Sequence, residues 1–138
     1  MSGSGLISVR FPRSLLELFR AQALRARRSL HDAARFLISH LGDIAPGELV
    51  LIEDPPPEGD DPRVSLYIGQ RWTQALTEIS QKTHLSVSSL IRRLAYALFV
   101  TGSLKFVQQN NEWRLVSLQN HAGNNAPQVK EGNVSAAS

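Results

Sequence analysis

The chain has no cysteine, so neither a disulfide framework nor a thiolate metal site is open to it. It also lacks any apolar run near the roughly 20 residues that a bilayer span requires. Its opening, Met1-Ser2-Gly3-Ser4-Gly5, has none of the charged and apolar regions of a secretory signal. These absences predict a cytoplasmic protein with no membrane partner. The parts of common catalytic sites are missing too: there is no Gly-rich phosphate loop, no pair of acids in an apolar setting and no nucleophile beside a base. His31, His40, His84 and His121 show no ligand spacing and no partnered carboxylate. No enzyme, catalytic residue, metal or cofactor is therefore expected.

Acidic residues are scarce except in one stretch. Residues 6 to 41 carry seven Arg against Glu17 and Asp32, a net +5, and residues 63 to 104 carry a net +4. Between them, residues 42 to 62 hold seven acids and no Lys or Arg, a net −7. Two basic modules joined by an acidic connector form the electrostatic outline of a polyanion binder.

What the chain does have is an alternating stretch stated twice, Leu6-Ile7-Ser8-Val9-Arg10-Phe11 and Arg63-Val64-Ser65-Leu66-Tyr67-Ile68. Apolar residues on every second position are the period of a half-buried strand. The outward sets are then Leu6, Ser8 and Arg10, and Arg63, Ser65 and Tyr67. After Pro12, a helix is predicted from Arg13 to about Ala26, with Leu15, Leu18, Phe19 and Ala23 on one face. Ser29 reads as the N-cap of a second helix, with Asp32 three residues on. Leu30, Ala33, Ala34, Leu37, Ile38 and Leu41 form that helix's apolar stripe, and Gly42 closes it. A shift of 57 residues lays residues 6 to 41 on residues 63 to 98 without a gap, and repeats the pattern: Trp72, Ala75, Leu76 and Ile79 in one helix, Ser86 as N-cap, then Val87, Leu90, Ile91, Leu94, Ala95 and Leu98.

The remaining segments are plainer. Residues 42 to 62 are expected to be an acidic, Pro-rich connector in which Leu49-Val50-Leu51-Ile52 forms a short strand or a plug on the core and residues 54 to 62 make a stiff, non-helical finish. Residues 104 to 118 read as a β-hairpin that must pack on the repeats or on another subunit, because an isolated hairpin is barely stable. Residues 119 to 138 read as a disordered tail. Trp72 and Trp113 are expected in the core.

Val9-Arg10-Phe11-Pro12-Arg13, the apolar positions of the first helix and Ser29 opening the second stand in an order and spacing that resembles the ribbon-helix-helix DNA-binding family of MetJ and Arc type. The resemblance covers about residues 6 to 102. It implies a mainly α fold with a short antiparallel β-ribbon, built from two tandem ribbon-helix-helix repeats, 6–41 and 63–102, that form an intrachain pseudo-dimer; the connector, the C-terminal β-hairpin and the tail have no counterpart in it. In that family the ribbon enters the major groove of double-stranded DNA, which would assign base readout to Leu6, Ser8, Arg10, Arg63, Ser65 and Tyr67. Phosphate contacts would fall to Ser29, Leu30 and His31, to Ser86, Val87 and Ser88, and to the adjacent Arg27 and Arg28. The family places Gly in the turn between its helices, where this chain has Arg27 and His84. Two repeats in one chain resemble the tandem TraY-type proteins of conjugative plasmids. A bacterial, DNA-associated transcriptional regulator or transfer-origin accessory factor is the function implied, with a second copy on adjacent sites or a protein held by the hairpin as further partners. The alternative is an antitoxin or adaptor module whose main partner is a protein.

Overall fold

The computed structural model describes residues 5–118; the tail from 119 to 138, expected to be disordered, lies outside the described residues, as does His121. Strand β1 (Leu6–Arg10) leads into helices α1 (Arg13–Arg25) and α2 (Leu30–Ser39), a 3-10 turn (Leu41–Asp43) and a short helix α3 (Pro46–Leu51). Strand β2 (Arg63–Tyr67) leads into α4 (Gln70–Thr83) and α5 (Val87–Tyr96), which runs on as a π-helical turn (Ala97–Thr101). A hairpin of β3 (Leu104–Gln109) and β4 (Glu112–Ser117) ends the described residues. Among the described residues the fold is mainly helical, with two separate two-stranded antiparallel sheets.

β1 and β2 pair antiparallel with Ser8 opposite Ser65 at the centre. The ladder extends one step past each end, where Phe11 N–H donates to Pro62 O and Ile68 N–H to Gly5 O. Gly5 has φ +75°, and a Cβ there would stand 2.8 Å from the Gly69 backbone, so this end of the ribbon closes only around glycine. The inward face of the ribbon is core: Val9, Phe11, Leu66 and Ile68 are fully buried. α5 packs against β1 and α2 against β2, so each strand is covered by the second helix from the other half of the chain.

The helices follow their apolar stripes, with corrections. In α1 the buried residues are Leu15, Leu16, Phe19 and Ala23, while Leu18, expected on that face, is 39% exposed. At about 100° per residue, positions 15, 16, 19 and 23 fall within one arc and position 18 lies well outside it. α2 ends at Ser39 rather than at Gly42, and Leu41 reaches the core from the 3-10 turn. The connector holds a short helix, α3, ahead of its non-helical finish. Leu49 is fully buried as part of α3 against α4, and Ile52 is buried just beyond it, so the patch is a helical plug and not a strand. Pro46 in the first turn and Glu48 near the positive end of the helix dipole both suit a helix start.

The hairpin packs on the helices of its own chain. Leu104 and Leu115 are buried, and Phe106 stacks at 5.2 Å from Phe36 on α2. Asp43 receives the Leu115 N–H at 3.0 Å and Arg114 Nη1 at 3.2 Å. His40 Nδ1 also lies 3.1 Å from the Asp43 carboxylate, so this histidine does have an acid partner. Trp113 is not in the core: it is half exposed on a groove of about 330 Å³ lined also by Phe19, Phe36, Phe99 and Phe106. It shares a face of the hairpin with the buried Leu115 but stands near the turn, opposite Gln108. Trp72 is partly buried against the core.

Candidate nucleic-acid interface

The alternation that buries one side of the ribbon leaves Leu6, Ser8, Arg10, Arg63, Ser65 and Tyr67 exposed on the other. Paired residues share a face, so these six form three cross-strand pairs on one surface: Arg10 with Arg63, Ser8 with Ser65 and Leu6 with Tyr67. All three pairs occupy non-hydrogen-bonded positions, where side chains stand closest and Cα atoms are about 4.5 Å apart. The amides of these residues turn outward from the ribbon instead. Arg10 N–H donates to Ser88 Oγ at 3.1 Å, and Tyr67 N–H donates to His31 Nδ1 at 2.8 Å. His31 therefore accepts through an unprotonated Nδ1.

The Arg10–Arg63 pair sets two like charges directly opposite each other, which opposes strand pairing by roughly 0.2–1 kcal/mol. Among the described residues neither guanidinium is within ion-pair distance of a carboxylate. Arg63 Nη1 leans diagonally toward Ser8 Oγ at 3.5 Å. An exposed face with two unneutralised arginines and two hydroxyls suits a surface rich in hydrogen-bond acceptors.

The helix starts at the two edges are built from the same parts. Ser29 Oγ accepts the Asp32 N–H at 3.1 Å, and Ser86 Oγ accepts the Ser89 N–H at 3.0 Å. Beyond these caps lie Leu30 and His31 in α2, and Val87 and Ser88 in α5, in the first turn where helix amides have no intrahelical acceptor. The Asp32 side chain binds Arg35 and so does not complete a capping box. His31 and Ser88, each two residues past a cap, fix these helix starts to opposite ends of the ribbon through Tyr67 and Arg10.

The surroundings of the two starts differ. Arg27 and Arg28 are exposed just before α2, and the Arg28 guanidinium lies 4.5 Å over the Phe36 ring. The corresponding residues before α5 are His84 and Leu85. There Asp54 of the connector receives Arg92 Nε at 2.9 Å, Arg92 Nη2 at 3.0 Å and Ser89 Oγ at 2.9 Å. Arg92 Nη1 in turn donates to Ser88 Oγ at 2.8 Å and to Arg10 O at 3.2 Å. Burial pushes the Asp54 carboxyl up, but the hydrogen bonds from Arg92 and Ser89 and the charges of Arg92 and Arg93 outweigh it and hold it below the ordinary aspartate range.

Asp54 and Arg92 thus position β1 and the start of α5, a role the sequence reading does not assign to either. Arg92 carries a signal, as one of the identities under the 57-residue shift, with Arg35 as its counterpart. Asp54 carries none, since nothing in an acidic Pro-rich stretch names its partner. Compared with family models, with curated proteins and with solved structures, the chain matches none.

Proposed function

We propose that this chain is a sequence-specific binder of double-stranded DNA that lays the β1–β2 ribbon in the major groove as a single-chain ribbon-helix-helix pseudo-dimer. Its role is that of a transcriptional regulator or an accessory factor at a conjugative transfer origin. The observation that carries this reading is the register of the ribbon. Residues related by the 57-residue shift, Ser8 and Ser65, face each other at its centre, as they must if a local two-fold axis relates the repeats. The same shift relates Arg10 to Tyr67 and Ser88 to His31, so the bonds Arg10 N–H to Ser88 and Tyr67 N–H to His31 are one contact made twice. A major groove of about 12 Å admits a two-stranded ribbon, and helix starts at its edges offer amides to the flanking phosphates.

Phosphate contacts release counterions, so affinity for duplex DNA should fall steeply with salt, and the log–log slope counts the contacts. Neutralising Arg28 should reduce that slope by about one and weaken all sequences alike. Fluorescence anisotropy of a labelled duplex across a salt series measures both. Absence of duplex binding sinks the reading and favours a protein-binding adaptor; an unchanged slope removes Arg28 from the phosphate contacts.

A further inference from the structure

Along its axis the outward face of the ribbon changes chemistry. At one end Arg10 and Arg63 stand side by side, in the middle Ser8 faces Ser65, and at the other end Leu6 faces Tyr67. Four residues of strand separate the two ends, a distance of roughly 14 Å, enough to put them over different base pairs. The arrangement follows from the antiparallel register acting on two unlike repeats. Arg63 stands where the first repeat has Leu6, and Tyr67 where it has Arg10, so pairing gathers both arginines at one end.

From this register we infer that the ribbon reads DNA in one direction, with guanine under the Arg10–Arg63 end and thymine under the Leu6–Tyr67 end. The inference rests on the DNA-binding reading above and adds the polarity and base classes of the site. The guanidinium fork matches the O6 and N7 acceptors of guanine, whereas an aliphatic or aromatic side chain finds its only apolar partner in the major groove at the thymine methyl. Serine hydroxyls donate or accept and so contact either. Two arginines at one end make that end the stronger discriminator. The flanks balance it: the start of α2, joined to the Tyr67 end through His31, has Arg27 and Arg28 beside it, while the start of α5, joined to the Arg10 end through Ser88, has Asp54. Cations that read bases collect at one end and cations placed for phosphate at the other.

The test uses the full chain and chemically altered DNA. Random 20-base-pair duplexes are enriched on the protein, and the selected duplex is then titrated with 7-deazaguanine in place of each guanine, which deletes N7, and with deoxyuridine in place of each thymine, which deletes only the methyl. The polarity predicts that 7-deazaguanine weakens binding on the order of 10-fold in one half of the site only. Deoxyuridine should weaken it about 3- to 4-fold in the other half only, the loss of one buried methyl. Arg10→Ala should abolish the guanine effect at one position and keep the thymine effect. Equal losses in both halves, or a palindromic selected site, overturn the polarity while leaving DNA binding intact. If no duplex is enriched, both readings fall.

Discussion

At the residue scale, the turns between paired helices are the clearest departure from the resembled pattern. Arg27 and His84 stand where that pattern has glycine, and both adopt left-handed backbone, with φ of 58° and 61°. An L-residue there costs about 1–2 kcal/mol, of which glycine's extra unfolded-state freedom takes back about 0.5–1 kcal/mol. His84→Gly should therefore stabilise the fold by about 0.5–1 kcal/mol, seen as a higher urea midpoint. Arg27→Gly should stabilise by a similar amount yet weaken DNA binding, because it also removes a cation beside the α2 start. If Arg27→Gly leaves affinity unchanged, Arg27 belongs to a solvated turn. The six outward side chains are legible from alternation alone, since strand period dictates which face each occupies. That His31 and Ser88 turn inward to hold the ribbon's edge is not legible, because it depends on the helix of one half of the chain packing on the strand of the other.

At the scale of elements, acids of the connector and of the turn after α2 hold the structure together rather than merely separating two basic modules. α1 has no side-chain cap of its own at Pro12, and Glu58 supplies one from a distance, receiving the Ser14 N–H at 3.1 Å together with its hydroxyl. Arg13 Nη2 reaches Asp60 O at 3.0 Å, and Arg93 Nη1 reaches the carbonyl of Ile52. The helices and strands were accessible from periodicity, but α3 was not: six residues are too few to state a period, and Pro46 and Gly47 disguise the start. Asp43 is the anchor of the hairpin. Burial pushes its carboxyl up, but the Leu115 N–H, His40 and Arg114 outweigh that and hold it below its ordinary 3.8. With folded values depressed, the stability contributed by Asp43 and Asp54 is complete above the ordinary aspartate range and is lost as pH falls through the folded values. Asp43→Ala should cost about 2 kcal/mol by stranding the Leu115 N–H, and Asp43→Asn, which keeps an acceptor, should cost less. Urea midpoints followed from neutral pH into acid should fall more shallowly for Asp43→Asn than for the wild type. An equally steep acid limb in that variant would show that the aspartate's titration does not govern it.

At the scale of the whole molecule, the ribbon is where the halves of the chain meet. Each strand is roofed by the far half's second helix, and the Asp54–Arg92 contact ties the connector to the same end. On the proposed function, the outward face of this ribbon, with the two helix starts at its edges, is the surface that meets DNA. Titrating a ¹⁵N-labelled chain with the enriched duplex locates that surface residue by residue. Amide shifts should concentrate at residues 6 to 10, 63 to 67, 27 to 31 and 86 to 88, with the Trp113 indole signal unmoved. Shifts centred on Trp113 and the hairpin groove, with the ribbon amides unchanged, would contradict that placement.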